Sequence, residues 1–539
     1  MKTEYERLQK RLTYKPLLDK IATGEDLYAN RKYNDAIAVF REVLAEIDKS
    51  YEFNICELNR KIGNCYYNMG NRDMAREAFE ETLKYCTTNA SIYSMLGYLC
   101  YYSDNEKSIR YYNKALSLEP IPTCVSNICL TMLKSDRYSQ KELKEAIEFQ
   151  IDRYRPCVLK EDKPFIYDKP ADPNKTLNIG YLSSDFYCHA MMQFVLPLLE
   201  YHNQDKFNFT LYSCSKKSDS TTERIKQTGM KFVDCSNLNE KEIAQKIHDD
   251  GIDILVDLGG YTHCRCFALY YKPAPVIMQY LGFVNTMGMK EVDYIFADEF
   301  VIPKKSAKYY TEKPLYLKSG MHRFDFNSSR MQLPEINELP YYTNGYITFG
   351  SFNCPSKIND YTIALWSKVL QNVPNSKLLI YRTQMTEKII QKFKKKFEEN
   401  GIKGNRVIYN NIPCKGNHFS AYKLADIALD TTPFNGLTIT IEQISMGVPV
   451  ITLAGESMQS RGCAHVNYVL KLNDLIAENE SEYIIKAQKL AGNIKKLDYY
   501  RHNLRDILNK SPLRSDPQSF AKCVEEGYTQ AWKDFCKSL

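Results

Sequence analysis

Residues 425–455 decide the fold, and they read A-D-I-A-L-D-T-T-P-F-N-G-L-T-I-T-I-E-Q-I-S-M-G-V-P-V-I-T-L-A-G. The apolar residues 425–431 predict a short buried strand, which the turn residues 432–436 end. A helix is predicted from Thr438, with Gly447 and Pro449 closing it before a second strand at 450–453. The order of strand, turn, helix and strand places a helix N-terminus where a diphosphate can bind.

Hydroxyl residues stand in this unit where other nucleotide sites carry a glycine-rich loop. The sequence has no G-x-x-x-x-G-K-[ST] and no G-x-G-x-x-G here, which disfavours P-loop ATPases and dinucleotide dehydrogenases. The alternative is an ordinary α/β unit whose helix is capped by threonine. This stretch alone does not separate the two interpretations.

Composition places the chain among globular proteins. A length of 539 residues predicts two to four domains, and the net charge of +7 is spread along the sequence, which does not indicate nucleic-acid binding. The N-terminus is charged, so no export signal is predicted. The sequence has no run of about 18 apolar residues, so no membrane span is predicted. Seventeen cysteines without a C-x-x-C pair predict reduced thiols in a cytoplasmic protein. His263, Cys264 and Cys266 lack a second ligand pair, so no metal site is predicted.

Residues 18–120 contain a degenerate internal repeat. Its register is given by Gly24, Ala36 and Phe40, by Gly63, Ala75 and Phe79, and by Gly97, Ser108 and Tyr112. Gly63 and Gly97 are 34 residues apart, the period of the tetratricopeptide repeat. We therefore predict a tetratricopeptide-repeat helical domain over residues 1–155. Such a stack can bind a protein, cap the next domain or form a dimer.

Strands and helices alternate after a proline-rich linker at 156–175. One series, at 176–340, predicts a first Rossmann-like lobe, and a second, at 341–510, predicts another lobe that contains the opening stretch. A C-terminal helix follows at 511–539. Two lobes in tandem create a cleft that faces the carboxyl ends of both sets of strands.

Residues that could contact a ligand in this cleft lie at strand ends and helix starts. A lysine there, Lys357, can neutralise a phosphate leaving group, and a histidine, His189, can accept a proton from a hydroxyl or donate to a phosphate. An acidic residue in the following helix, Glu442, suits ribose hydroxyls. The remaining candidates are Lys415, His418 and Thr438. For any single one of these residues, a capping or surface role is the alternative.

The flanking sequences resemble the O-linked N-acetylglucosamine transferase and SPINDLY group, glycosyltransferase family 41, over nearly the whole chain. The matching segments are G-Y-L-S-S-D-F (180–186), D-G-I-D-I-L-V-D-L-G-G-Y-T (250–262), K-P-A-P-V (272–276), V-D-Y-I-F-A-D (292–298), F-G-S-F-N (349–353), L-A-D-I-A-L-D-T (424–431) and G-E-S-M-Q-S-R (455–461). The resemblance implies tetratricopeptide repeats followed by a GT-B pair of lobes.

The resemblance also implies roles. His189 and Lys357 correspond to the family's acceptor-side histidine and diphosphate-binding lysine, and are expected to be catalytic. The segment with Lys415 and His418 corresponds to the part that surrounds the nucleotide base. The donor-binding turn and helix correspond to Gly436, Leu437, Thr438, Ile439, Thr440 and Glu442. His248 matches a further histidine of the family, but its place on a helix favours a structural role.

Three departures from the family pattern bear on the donor. Leu437 stands where the animal enzyme has a base-stacking histidine, Ile439 replaces a threonine, and Cys354 replaces a glutamine. Leucine can pack against uracil but cannot stack as an aromatic ring does. UDP-glucose and GDP-fucose therefore remain alternative donors to UDP-N-acetylglucosamine. Transfer to Asn remains an alternative linkage, and a degenerate scaffold without activity remains an alternative function.

The expected function is inverting transfer of N-acetylglucosamine from UDP-N-acetylglucosamine to Ser or Thr of an intracellular protein. No metal or other cofactor is expected, since a lysine and a helix dipole supply positive charge and no D-x-D pair is present. The expected partners are the nucleotide sugar and a protein acceptor bound through the repeats, for example a flagellar or surface protein, with a homodimer as a further option. Neither nucleic acid nor membrane is expected as a partner.

Overall fold

The computed structural model describes residues 2–49, 51–169, 171–326, 333–414 and 417–539. Contacts divide the chain into two compact units, Met1–Cys124 with Thr386–Ile389, and Val125–Met385 with Ile390–Leu539. Among the described residues, no helix is both long and apolar enough to cross a membrane.

The first unit is built from helix pairs, as the repeat predicts. Its helices are α1 (Lys2–Ala29), α2 (Tyr33–Glu46), α3 (Glu52–Asn68), α4 (Arg72–Thr82), α5 (Ala90–Cys100) and α6 (Asn105–Leu118). The unit boundary falls within α7 (Pro122–Met132), and α8 (Gln140–Leu159) belongs to the second unit.

The repeat register is confirmed by the packing inside each helix pair. A Cβ on Gly63 would lie 2.9 Å from the ring of Phe79, and a Cβ on Gly97 would lie 2.6 Å from the ring of Tyr112. Gly24 has the same relationship to Phe40. The glycine of one helix therefore lets the buried aromatic ring of its partner approach closely.

The second unit begins with a seven-stranded parallel sheet in the order β3-β2-β1-β4-β5-β6-β7. Its strands are β1 (Leu177–Ser183), β2 (Phe207–Ser213), β3 (Lys231–Asp234), β4 (Ile254–Asp257), β5 (Val276–Gln279), β6 (Tyr294–Ala297) and β7 (Lys313–Tyr316). The helices of this lobe are α9 (Met192–Tyr201), α10 (Ser220–Lys226) and α11 (Glu240–Asp249). The edge strands β3 and β7 escaped sequence analysis because they are short and not fully buried, and so lack an apolar run.

A second parallel sheet, in the order β10-β9-β8-β11-β12-β13, forms the other lobe. Its strands are β8 (Ile347–Ser351), β9 (Ser376–Tyr381), β10 (Val407–Asn410), β11 (Ile427–Leu429), β12 (Val450–Leu453) and β13 (Ile476–Ala477). Its helices are α12 (Pro340–Asn344), α13 (Asp360–Asn372), α14 (Glu387–Glu399), α15 (Thr438–Ser445), α16 (Gly462–Val469), α17 (Glu480–Ala491) and α18 (Ile494–Lys510). The strand, turn, helix and strand predicted for residues 425–455 are β11, the turn, α15 and β12.

The last helix, α19 (Pro517–Ser538), packs on the first lobe. The hydroxyls of Tyr181 on β1 and Tyr528 on α19 lie 2.6 Å apart, and Glu525 Oε1 lies 2.9 Å from Nδ1 of buried His202. The C-terminal helix predicted from the sequence therefore joins the end of the chain to the first sheet. The predicted domain limits at 155, 175, 340 and 510 stay predictions.

Candidate active site

The carboxyl ends of β8 and β11 meet where the strand order of the second sheet reverses. Asn353 and Lys357 follow β8, and the turn at 430–436 follows β11. Ligands of open parallel sheets bind in the crevice at this switch point. The topology therefore places Lys357 beside the turn that begins the opening helix.

Asp430 is a buried carboxylate that organises this turn. Its Oδ1 accepts hydrogen bonds from the Gly436 N–H at 2.9 Å and from Asn353 Nδ2 at 3.2 Å, and its Oδ2 accepts one from Thr452 Oγ1 at 2.9 Å. Burial raises the pKa of Asp430 to about 6, although the hydrogen bonds from Gly436 and Thr452 and the charge of Lys357 act in the opposite direction. The carboxylate thus links β8, the turn and β12 at one point.

Lys357 lies against the same turn. Its Nζ donates a hydrogen bond to the main-chain oxygen of Asn435 at 2.9 Å and lies 3.9 Å from the centre of the Phe434 ring. Burial lowers the pKa of Lys357 to about 8, and the negative charge of Asp430 partly offsets this effect. Such a lysine is a positive charge held in place, suited to a phosphate oxygen.

Helix α15 begins without a side-chain cap. Leu437 occupies its N-cap position and makes no capping hydrogen bond, whereas Asn359 and Asn479 cap α13 and α17 with their side chains. The threonine cap of the alternative interpretation is therefore not formed, and phosphate binding at this unit stays a prediction. The first N–H groups of α15 and the positive end of its dipole can instead bind an anion.

The start of α15 is tightly packed around Gly436. A Cβ at Gly436 would lie 2.6 Å from Cγ2 of Ile439, and Thr440 Oγ1 donates a hydrogen bond to the Gly436 carbonyl at 3.1 Å. Ile439 and Thr440 are buried, while Leu437 and Thr438 are partly exposed. Of these residues, Leu437 and Thr438 therefore have the side chains that a bound nucleotide sugar could reach.

Glu442, one turn further along α15, is held by two aromatic side chains. Its Oε2 accepts a hydrogen bond from the Tyr422 hydroxyl at 2.5 Å, and its Oε1 lies 3.2 Å from His418 Nε2. The Glu442 side chain is mostly buried, whereas the His418 side chain is 45% exposed. Each carboxylate oxygen can accept more than one hydrogen bond, so Glu442 retains acceptor capacity for ribose hydroxyls.

His418 and Lys415 were predicted together for the nucleotide-base region. His418 packs against Phe419, with ring centres 4.4 Å apart, and its contact with Glu442 connects it to α15. Lys415 lies outside the described residues. The structure therefore joins one member of the predicted pair to the helix.

His189 lies in the first lobe, in the turn between β1 and α9. Its side chain is 40% exposed, its Nδ1 accepts a hydrogen bond from the Met191 N–H at 3.3 Å, and Asp185 Oδ2 lies 3.6 Å from the same nitrogen. Because Nδ1 acts as an acceptor, the proton of the neutral ring is on Nε2. In this form the imidazole can donate a hydrogen bond through Nε2.

Gln459 connects the first lobe to the turn at the site. The sequence analysis assigned no role to this residue. Its main-chain oxygen accepts a hydrogen bond from the Asn435 N–H at 2.9 Å, and its side-chain oxygen accepts one from Asn285 Nδ2 at 2.7 Å. Asn285 belongs to the first lobe, so Gln459 joins that lobe to the turn that Lys357 contacts. The segment 455–461 was recognised only as a family resemblance.

His248 and His263 make local contacts in the first lobe. His248 stacks on Phe165 with ring centres 3.8 Å apart, and its structural role stays a prediction. His263 Nδ1 accepts a hydrogen bond from the Arg265 N–H at 3.2 Å, and the side chain of Cys264 is not among those described. Among the described residues, one surface position brings potential metal ligands close together. These are the side chains of Glu338, Asp498 and His502.

A family model and several curated relatives match the chain. The model described as glycosyl transferase family 41 matches residues 151–338 and 328–523. The probable UDP-N-acetylglucosamine–peptide N-acetylglucosaminyltransferase SPINDLY of Arabidopsis thaliana is 33% identical over 378 residues, which are 69% of this chain and 41% of the relative. The protein SEC of the same plant, named as the same probable activity, is 30% identical over 370 residues, 67% of this chain and 38% of the relative. The chain thus spans about two fifths of the length of these relatives.

A solved structure is similar over almost the full length. It is the Thermobaculum terrenum O-GlcNAc transferase, in a lysine-to-methionine mutant form. The match has a TM-score of 0.81 at 26% sequence identity and covers 97% of this chain and 98% of that chain. The similarity includes the helical N-terminal region and both lobes.

Proposed function

The chain belongs to glycosyl transferase family 41, and from this premise we propose that it transfers N-acetylglucosamine from UDP-N-acetylglucosamine to Ser or Thr hydroxyls of a protein, with inversion at the anomeric carbon. The observation that carries the proposal is the position of Lys357, whose ammonium group contacts the turn that leads into the uncapped helix α15. This arrangement supplies positive charge where a nucleoside diphosphate would leave.

In the proposed reaction, the acceptor oxygen forms a bond to the anomeric carbon while the bond from that carbon to the β-phosphate oxygen breaks. The electron pair passes to the phosphate, which departs as UDP. Lys357 and the first N–H groups of α15 stabilise the negative charge that develops on this group. Inversion follows because the acceptor attacks from the face opposite the phosphate.

His189 orients the reacting groups in this proposal. Its Nδ1 accepts the Met191 N–H, so its Nε2–H is available to donate a hydrogen bond to a phosphate or sugar oxygen. The acceptor hydroxyl then gives its proton to a phosphate oxygen of the departing nucleotide. In the alternative, the His189 ring rotates so that its unprotonated nitrogen faces the acceptor hydroxyl. That nitrogen then takes the proton as a general base.

The nucleoside binds beside α15. Glu442, positioned by Tyr422 and His418, accepts hydrogen bonds from the ribose, and Leu437 packs on the base. The charge on the diphosphate is balanced by Lys357 and the helix dipole, and we therefore propose catalysis without a metal.

The acceptor is proposed to be a protein that binds along the helical repeats of the first unit, with a bacterial flagellar or surface protein as a candidate. No disulfide joins the cysteines that the structure describes, which supports action in a reducing compartment such as the cytoplasm. Repeat stacks also support dimers, and a homodimer is part of the proposal.

The first test is thermal stabilisation by UDP-N-acetylglucosamine, UDP-glucose and GDP-fucose. A ligand that binds only the folded protein stabilises it by about 2.7 kcal/mol at 100 times its dissociation constant. The expected result is a higher midpoint with UDP-N-acetylglucosamine, and a mass increase of one N-acetylhexosamine on Ser or Thr of an acceptor. A shift with GDP-fucose alone would overturn the proposed donor, sugar on Asn would overturn the proposed linkage, and no shift with any of the three would overturn the activity.

A further inference from the structure

A chain of hydrogen bonds runs from the first lobe to Lys357. Asn285, in the loop after β5, donates from Nδ2 to Gln459 Oε1 at 2.7 Å. The main-chain oxygen of Gln459 accepts the Asn435 N–H at 2.9 Å, and the main-chain oxygen of Asn435 accepts a hydrogen bond from Lys357 Nζ at 2.9 Å. A first-lobe amide is therefore connected to the ammonium group that is proposed to stabilise the departing nucleotide.

Asn285 is itself held in place by the first lobe. Its main-chain oxygen accepts a hydrogen bond from Nε2 of Gln279, the last residue of β5, at 3.1 Å, and its Oδ1 accepts one from the Thr286 N–H at 2.6 Å. Because Oδ1 already acts as an acceptor, the amide presents its Nδ2 hydrogens to Gln459. Asn285 and Gln459 are each 5% exposed, so little solvent reaches the contact between them.

The turn at the other end of the chain is joined to its own lobe. Asn435 Nδ2 donates to the main-chain oxygen of Thr431 at 2.8 Å, and Asn435 Oδ1 accepts a hydrogen bond from Thr452 Oγ1 at 3.4 Å. The turn and the Lys357 ammonium group that contacts it thus belong to one part of the second lobe. Asn285 connects this part to the first lobe.

We propose that Asn285 is a positioning residue for the transfer reaction, because it fixes the turn that Lys357 contacts relative to the lobe that carries His189. This inference rests on the proposed function. In that reaction His189 and Lys357 act on one donor from different lobes, so their separation must be held while the anomeric carbon reacts. A misplacement of about 1 Å can lower a rate by about 100-fold. A direct link between the lobes at this point therefore contributes to turnover.

Asn285→Ala breaks the link, and Tyr310→Phe is the matched control. The Tyr310 hydroxyl accepts the Met458 N–H at 3.0 Å and the residue is 6% exposed, so the control removes a neighbouring buried hydrogen bond between the same two lobes. For Asn285→Ala we expect kcat with UDP-N-acetylglucosamine to fall by about 10-fold and the donor dissociation constant to change by less than about threefold, because the transition state is the more sensitive to geometry. Tyr310→Phe should keep kcat within about twofold of the wild type.

Two variants of Gln459 separate positioning from stability. Gln459→Met keeps the length of the side chain without the acceptor, whereas Gln459→Glu keeps an oxygen that can accept the Asn285 hydrogen bond. Both retain the main-chain contact with Asn435. We expect kcat to fall by about 10-fold in Gln459→Met and to stay within about threefold of the wild type in Gln459→Glu. A buried carboxylate is unfavourable, so Gln459→Glu should nevertheless have the lower thermal midpoint.

The Lys357→Met background shows whether Asn285 acts through the lysine. Single-turnover rates with excess enzyme remain measurable for slow variants. Asn285→Ala should lower this rate by about 10-fold in the wild type but by less than about threefold in Lys357→Met, because the group that it positions is then absent. Its effect on the thermal midpoint should be the same in both backgrounds.

The outcomes separate this inference from the proposed function. If the wild type neither binds nor transfers any of the three nucleotide sugars, the proposed function fails and takes this inference with it. If the wild type is active and Asn285→Ala lowers the midpoint but keeps kcat, or lowers the rate equally in both backgrounds, only the role of Asn285 is overturned. If Asn285→Ala does not fold, the Gln459 variants decide the question, and equal turnover of the two would overturn the role.

Discussion

The Nζ atom of Lys357 lies 2.9 Å from the main-chain oxygen of Asn435, so a residue after β8 is attached to the turn after β11. Lys357→Met keeps the length of the side chain and removes its charge. We expect turnover with UDP-N-acetylglucosamine to fall by about 100-fold to 1000-fold, because one group that stabilises developing charge is lost.

The fold should survive the change, and the thermal midpoint should stay within about 2 °C of the wild type. Lys395→Met is the control, since Lys395 is on α14 and 77% of its side chain is exposed. Turnover that survives Lys357→Met would show that the leaving-group role is wrong.

His189 is expected to act through the hydrogen on Nε2. His189→Ala should lower kcat by about 100-fold, with little change in the donor KM. His189→Asn should recover part of this loss, because an amide can donate a hydrogen bond but cannot serve as a base at neutral pH. Initial rates at saturating donor measure both effects. Equal loss in the two variants would point instead to proton abstraction by the imidazole.

Glu442 is held between Tyr422 and His418, and this geometry predicts a binding role rather than a role in the chemical step. Glu442→Ala should raise the donor KM by about 10-fold and change kcat by less than about threefold, which is the pattern of lost uniform binding. Tyr422→Phe removes one positioning hydrogen bond and should have a smaller effect of the same kind. Glu399→Ala is the control, because Glu399 lies on α14 and 45% of its side chain is exposed. A fall in kcat without a change in KM would contradict this role.

The strand, turn and helix of the donor lobe could be predicted from residues 425–455 because the signals for them are local. Apolar runs, turn residues and the closing Gly447 lie within one stretch of chain. The repeat register was predictable for the same reason, since each glycine lies in the helix that precedes its aromatic partner, as Gly63 precedes Phe79.

Contacts between distant segments carry no such signal. Asp430 gains its role from Asn353 and Thr452, the first of which is 77 positions away. Family resemblance located Lys357 and Glu442 but gave no account of what holds them, because their partners depend on tertiary packing.

Gly447 is required by its surroundings as well as by its backbone. Its φ is +74°, and a Cβ there would lie 2.2 Å from the main-chain oxygen of Arg501. Gly447→Ala should lower the free energy of unfolding by about 2–5 kcal/mol through the left-handed conformation and the clash.

Gly404→Ala is the matched control, because a Cβ there meets no atom within 4 Å, and its effect should stay within about 0.5 kcal/mol. Both tryptophans, Trp366 and Trp532, are in the second unit, so tryptophan fluorescence during urea unfolding reports on the lobes. Equal stability of the two variants would contradict the clash.

His322 should make the lobes less stable in acid. Its Nδ1 lies 3.0 Å from Nδ1 of His465, whose Nε2 lies 2.9 Å from Asp298 Oδ2. Burial holds the pKa of His322 below its ordinary value, and the charges of His465 and Arg323 act in the same direction, while that of Asp298 opposes them. The folded protein therefore keeps His322 neutral, whereas the unfolded chain protonates it as the pH falls below about 6.5.

The unfolded state then binds more protons, and this group lowers stability by roughly 1.4 kcal/mol for each pH unit below that value. Burial alone would raise the pKa of Asp298, but the hydrogen bond from His465 holds it low, so its own contribution is lost only below about pH 4. Urea unfolding at pH 7 and pH 5 measures the slope between these limits.

His322→Gln should reduce that slope, because the amide does not titrate. His502→Gln is the control with the opposite sign: a hydrogen bond to the Asp498 carbonyl raises the pKa of His502, so its stabilisation is present in acid and lost as the pH rises. His502→Gln should leave the slope of stability with pH unchanged or make it slightly steeper. The effect is small because His502 is exposed at the surface and solvent screens its charge. A wild-type slope retained in His322→Gln would assign the acid sensitivity to other groups, with buried His202 as the next candidate, since burial lowers its pKa as well.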